Sequence, residues 1–99
     1  MDDGVRLEQR IWTNALYDLY APLLTERQRD VYEMRCFSDL SLAETAESLG
    51  VTRQAVHILV NRTAEKLLDL EKALGFAERL ERLEGRIKEL ESKEKCLNP

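Results

Sequence analysis

The residues best suited to chemistry in this chain lie in one short run. Thr52, Arg53, Gln54, His57 and Ile58 fall within seven positions, with Asn61 and Arg62 a turn further on and Lys66 beyond. Arginine pairs with guanine through two parallel hydrogen bonds, and glutamine or asparagine does the same with adenine. Placed at the N-terminal, outward end of one helix, these side chains would read base edges in a major groove. Arg62 and Lys66 would hold phosphate, as would Arg27 and Arg29 near the start of an earlier helix. The bland alternative for each cation is a solvated helix face. His57 is the sole histidine and has no acid or base partner close in sequence, so it is read as a surface contact.

Other chemistries find no support. The chain has no phosphate-cradling glycine loop, no HExxH and no nucleophile–base constellation. The carboxylate pair Asp2-Asp3 sits at a fraying terminus. Cys36 and Cys96 are 60 positions apart, without a neighbouring Cys or His, and have neither disulfide nor metal spacing. They read as unpaired thiols of a reducing cytosol. The expectation is a cytoplasmic protein that is not an enzyme and binds no cofactor or metal.

The elements that must position the run are helices. Only four Gly and two Pro interrupt the 99 residues. Residues 5–20 carry Leu7, Ile11, Ala15, Leu16 and Leu19 at three- and four-residue steps, widened by Trp12 and Tyr20, and Pro22 stops the helix. Thr25 with Gln28, and Ser41 with Glu44, have the spacing of capping boxes for a second and a third helix. Gly50 supplies a left-handed exit, and Thr52 caps a fourth helix that nothing breaks before Leu74. The third and fourth helices make a helix-turn-helix. Ala46 is its small contact and Gly50 its turn, with Leu49, Val51, Val56 and Leu59 pointing inward. Helices two to four span only about 40 residues, too few for a core alone, so helix one must cover part of it with Trp12 and Leu16.

The fourth helix continues past the run with Leu67, Leu70 and Leu74, and its surplus length suggests a role in assembly. Gly75 is a joint, because the stripe beyond it is out of phase. Over 77–99 the chain is a highly charged helix with Leu80, Leu83, Ile87 and Leu90 at heptad spacing. With Leu80 and Ile87 at heptad a, position g holds Arg79, Arg86 and Lys93, and e holds Glu84 and Glu91. That pattern favours a parallel pair. Glu78–Arg82, Glu84–Lys88, Glu89–Lys93 and Glu91–Lys95 would equally support a solvated single helix, and a partner protein could cover the same stripe. The reading is therefore all-α: a helix-turn-helix domain over 1–76, with an N-terminal helix, and a C-terminal charged helix over 77–99. The dimer surface runs through Leu67, Leu70, Leu74, Leu80, Leu83, Ile87 and Leu90.

The charge balance limits the partners. Fifteen Lys and Arg against nineteen Asp and Glu give −4, distributed as −3 over 1–40, −1 over 41–76 and 0 over 77–99. No segment is strongly basic, so any nucleic-acid contact is a local patch with a small electrostatic term. Apolar runs of three or four residues cannot span a membrane, and the first ten residues lack the apolar core of a secretory signal.

From Tyr17 to Phe76 the chain resembles the YlxM family, small bacterial helix-turn-helix proteins associated with the signal recognition particle. The resemblance rests on Leu16-Tyr17-Asp18-Leu19-Tyr20, on Leu23-Leu24-Thr25-Glu26-Arg27-Gln28-Arg29, on Asp39-Leu40-Ser41-Leu42-Ala43-Glu44, on Arg53-Gln54-Ala55-Val56 and on Asn61-Arg62-Thr63. His57 stands where the family often has an aromatic, and Thr52 where it usually has serine. The helix-turn-helix is also similar, more loosely, to region 4 of bacterial sigma factors. The resemblance implies an all-helical, dimeric, cytoplasmic protein with a regulatory role in co-translational targeting. Its implied partners are the particle's GTPase or RNA, and it brings no catalytic residue. Three readings follow: a regulator in the targeting pathway that binds nucleic acid, a sequence-specific DNA-binding transcriptional regulator, and an interaction adaptor that binds none.

Overall fold

A computed structural model describes residues 7–97, with side-chain surroundings from Arg10 onward. Five α-helices follow one another: α1 (Leu7–Tyr20), α2 (Glu26–Cys36), α3 (Leu42–Leu49), α4 (Arg53–Leu74) and α5 (Phe76–Leu97), with a short 3-10 turn at Ala21–Leu23. The expected helix start at residue 5 and the side chain of Leu7 lie outside the described residues. Among these residues no helix is long and apolar enough to cross a membrane.

The helix ends follow local chemistry. Thr25 accepts from the Gln28 amide while Gln28 Oε1 accepts from the Thr25 amide, and Ser41 and Glu44 make the same reciprocal pair. Thr52 caps α4 by accepting from the Ala55 amide at 3.0 Å. Gly50 takes φ +69° and lets the Val51 amide close onto the Ala46 carbonyl at 3.0 Å. Gly75 turns the chain the same way at φ +65°.

Two apolar clusters hold the body together, and α2 and α4 contribute to both. The first contains Leu16, Tyr17, Tyr20, Leu24, Tyr32 and Leu67. The second joins Val31, Ala46 and Val56, with Leu49, Val51 and Leu59 packed against them, and is the inner face of the helix-turn-helix. Val31 and Tyr32 are neighbours in sequence yet serve different clusters. On α4 the two clusters are served by Val56 and Leu67, eleven residues apart and so about 16 Å along the axis. The N-terminal half of α4 rests on α3 and on Val31 of α2, and the far half on α1 and on Tyr32 of α2.

Three expectations are corrected. First, α1 does not bury the face through Ile11 and Ala15. Ile11 is 63% exposed and Trp12 39%, while Thr13, Leu16, Tyr17 and Tyr20 are buried. The tyrosines can go inside because each hydroxyl meets a polar group (Glu33 for Tyr17, Glu71 for Tyr20, Asn14 and Thr13 for Tyr32). Tyr17 and Tyr32 stack with ring centres 5.0 Å apart, and Phe37 packs against both. Burial pushes the Tyr32 phenol up to about 12. Second, Leu67 is not an outward position. It is completely enclosed by its own protomer, and Leu70 is half-buried against the same cluster. The extra length of α4 therefore builds the core, because α1 and α2 need a surface to pack on. Third, Arg29 is not free for phosphate. Its guanidinium donates to the carbonyls of Ala21 (3.2 Å) and Leu24 (2.8 Å), closing the turn into α2. Arg35 does likewise to Leu40 (2.6 Å), across the turn where Asp39 takes a left-handed φ of +57°.

Candidate nucleic-acid interface

The outward face of α4 begins at its cap. Thr52 accepts from the Ala55 amide and so starts the helix, which leaves its hydroxyl proton and one lone pair to offer. Arg53, Gln54, His57, Ile58, Asn61 and Arg62 are all exposed. They form two adjacent rows at four-residue steps, Arg53-His57-Asn61 and Gln54-Ile58-Arg62. From Arg53 to Arg62 the strip covers about 14 Å of helix axis, at 1.5 Å per residue. Lys66 extends the second row but is half-buried. Arg27, on α2, is exposed.

Within the strip His57 and Asn61 meet, with Asn61 Nδ2 3.3 Å from His57 Nε2. If the amide donates, Nε2 is the acceptor and the ring proton sits on Nδ1. The pair then presents an N–H donor and an amide oxygen on neighbouring turns. Ile58 adds a 40%-exposed apolar contact between polar neighbours, the kind of surface that meets a thymine methyl.

The electrostatics are local. No acidic residue occupies the first turn of α4. Among the described residues neither Arg53 nor Arg62 has a carboxylate within salt-bridge distance; the ion pair found is Glu78–Arg82, at 3.6 Å. The first helix of the motif is different. Glu44 closes the start of α3, accepting from the Ser41 amide at 2.8 Å. Its carboxylate already neutralises the positive pole there. The arrangement is thus a cationic, amide-bearing strip on α4 beside an acid-capped α3. Among the described residues no group of three or more Asp, Glu, His or Cys side chains is placed to hold a metal ion.

Comparison with known proteins agrees with the motif. Residues 7–98 match the UPF0122 family, described as helix-turn-helix proteins that are YlxM / p13 like. A UPF0122 protein of Symbiobacterium thermophilum is 49% identical over 61 residues, which cover 62% of this chain and 57% of that protein. One from Clostridium botulinum is 42% identical over 78 residues, covering 79% of this chain and 72% of that protein. One from Bacillus cereus is 37% identical over 95 residues, covering 93% and 86%.

Proposed function

The chain belongs to the UPF0122 family of YlxM/p13-like helix-turn-helix proteins, and from that premise we propose that it is a regulatory protein that binds nucleic acid through the N-terminal half of α4. The observation that carries this reading is the unbroken exposed strip of Arg53, Gln54, His57, Asn61 and Arg62 on a helix held by the Ala46–Val56 core. Arg53 and Gln54 specify bases. Arg62 and Lys66 hold the backbone. The protein acts by binding, without catalysis, in the cytoplasm.

A second reading has its own support. The resemblance to signal-recognition-particle-associated proteins, the net charge of −4 and the exposed apolar stripe of α5 suit a docking module for the particle's GTPase. One experiment separates the two. Fluorescence anisotropy of the full chain is measured against duplex DNA pools, particle RNA and the GTPase. Arg53→Ala with Gln54→Ala is expected to remove about 1–3 kcal/mol of base discrimination per lost contact, with helicity by circular dichroism unchanged. Unchanged nucleic-acid selectivity in that variant would move the interface off α4. GTPase binding with no nucleic-acid binding would establish the docking module.

A further inference from the structure

His57 and Asn61 stand one turn apart in the same row of the strip, and they are joined. Asn61 Nδ2 lies 3.3 Å from His57 Nε2. A carboxamide nitrogen can only donate, so the ring is neutral at Nε2 and offers its lone pair there. Both residues are exposed, and no element packs over their row. The charged residue of that row is Arg53, one turn before His57, and among the described residues no carboxylate lies within ion-pair distance of the ring. The pair belongs to the body of the molecule; from Glu78 to Leu97, α5 is an arm on which every residue is exposed.

Base reading asks more of an asparagine than of an arginine. Every polar hydrogen of a guanidinium donates, so its fork reads the same either way up. A carboxamide carries an oxygen at one tip and an NH2 group at the other, and turning it over exchanges them. Adenine presents its acceptor N7 and its N6–H donor in a fixed order. Only one setting of the carboxamide matches that order. The neutral imidazole selects a setting, because the turned amide would aim its oxygen at the Nε2 lone pair. With one hydrogen given to His57, the amide keeps its other hydrogen and its oxygen, the two groups that adenine needs.

We infer that His57 is a positioning residue that holds the Asn61 carboxamide in the setting that reads adenine in duplex DNA. The inference rests on base reading by α4, as proposed above, and deepens it. The strip itself points to a duplex. It is one face of a single helix, with no Phe, Tyr or Trp among its exposed residues. The major groove of B-DNA admits a helix, whereas that of A-form RNA is too narrow for side chains to read, and unpaired strands are held largely by aromatic stacking. Protonating the ring reverses the selection. Nε2–H then donates, the amide turns its oxygen to the ring, and the order that Asn61 shows to the groove is inverted. The added charge also strengthens attraction to any polyanion. Acid should therefore lower selectivity at one base pair while raising affinity for unrelated duplexes.

Two measurements on the full chain test this. In the free protein, NMR should show the Asn61 side-chain amide moving with the His57 ring signals as pH falls from about 8 to about 5, the interval in which imidazole changes charge. The movement should vanish in His57→Phe, which keeps a flat ring without an acceptor, with helicity unchanged. Random duplex DNA pools are then selected at about pH 8 and about pH 5. At the higher pH the wild type should prefer adenine by at least about fivefold at the position that Asn61→Ala erases, the lower end for one bidentate base contact. His57→Phe should lose most of that preference and keep the guanine preference that Arg53→Ala erases. The wild type at the lower pH should do the same. An Asn61 amide indifferent to the ring overturns the inference, as does a His57→Phe protein that still prefers adenine. Preference at the Arg53 position with none at the Asn61 position overturns the inference alone. Pools that yield no preferred sequence, with the NMR coupling intact, overturn base reading by α4 and the inference with it.

Discussion

Leu67→Ala is expected to lower the unfolding free energy by about 2–5 kcal/mol, the range for emptying a closed leucine site. Leu83→Ala, measured where the chain is monomeric, is expected to change it by less than about 0.5 kcal/mol. Both leucines belong to heptad-spaced stripes of the same sequence. Their surroundings differ completely. Leu67 has no exposed surface and touches the cluster built by Leu16, Tyr20, Leu24 and Tyr32, whereas Leu83 is 59% exposed on the arm. A body of about 70 residues has only ~5–15 kcal/mol of stability in total. Leu67→Ala therefore removes a large share of it. Urea unfolding followed by circular dichroism gives both values, and equal losses would refute the division between core and arm.

Tyr20 carries the second large effect. Tyr20→Ala empties an aromatic site that is 1% exposed and is expected to cost about 3–5 kcal/mol. Tyr20→Phe keeps the ring and removes only the hydroxyl that joins Glu71 to the Phe76 amide, so about 1–2 kcal/mol is expected. The phenylalanine variant should also speed hydrogen exchange at the amides of Phe76, Ala77 and Glu78 more than at those of α2. Exchange there that matches the wild type would mean the hydroxyl does not hold the joint. Acid should act on the same place. Burial works against the Glu71 charge, but the bonds from Tyr20, Ala77 and Glu78 outweigh it and hold the carboxyl below its ordinary range. A depressed carboxyl stabilises the fold above its unfolded value of about 4.3, and that contribution is lost as pH falls through the folded one. The tyrosines act at the other end. Burial, joined by bonding to Glu33 and Glu71, raises Tyr17 and Tyr20, and burial raises Tyr32 to about 12. Their contribution is complete below pH about 10 and is lost as pH climbs through the folded values.

What was legible in the sequence was short-range. The caps at Thr25, Ser41 and Thr52 bond within three residues, and Gly50 and Gly75 announce their own backbone geometry, so five helices and the helix-turn-helix could be placed. The face of α1 could not. Ile11 and Ala15 point outward while Leu16 goes in, because tyrosines take much of the inside once their hydroxyls meet Glu33 and Glu71, 16 and 51 positions away. Arg29 looked like a phosphate ligand because a cation's bond to a backbone carbonyl leaves no trace in residue type. The Tyr20–Glu71 joint was invisible because its two side chains lie 51 positions apart. The α4 strip was legible because exposure at the start of a capped helix follows from phase alone.

Glu44 at the mouth of α3 bears on how binding responds to ions. A helix start left open would draw in a phosphate, but this one already holds a carboxylate. With Arg53 assigned to bases, the cations left to touch a backbone are Arg62, Lys66 and Arg27. Three phosphates neutralised per protomer would release few condensed counterions. The logarithm of affinity should then fall with the logarithm of salt at a slope no steeper than about −2.7 per protomer, from about −0.9 per phosphate on duplex DNA. Such a protein trades long-range attraction for fit. It would scan a polyanion weakly, and dwell only where the bases suit it.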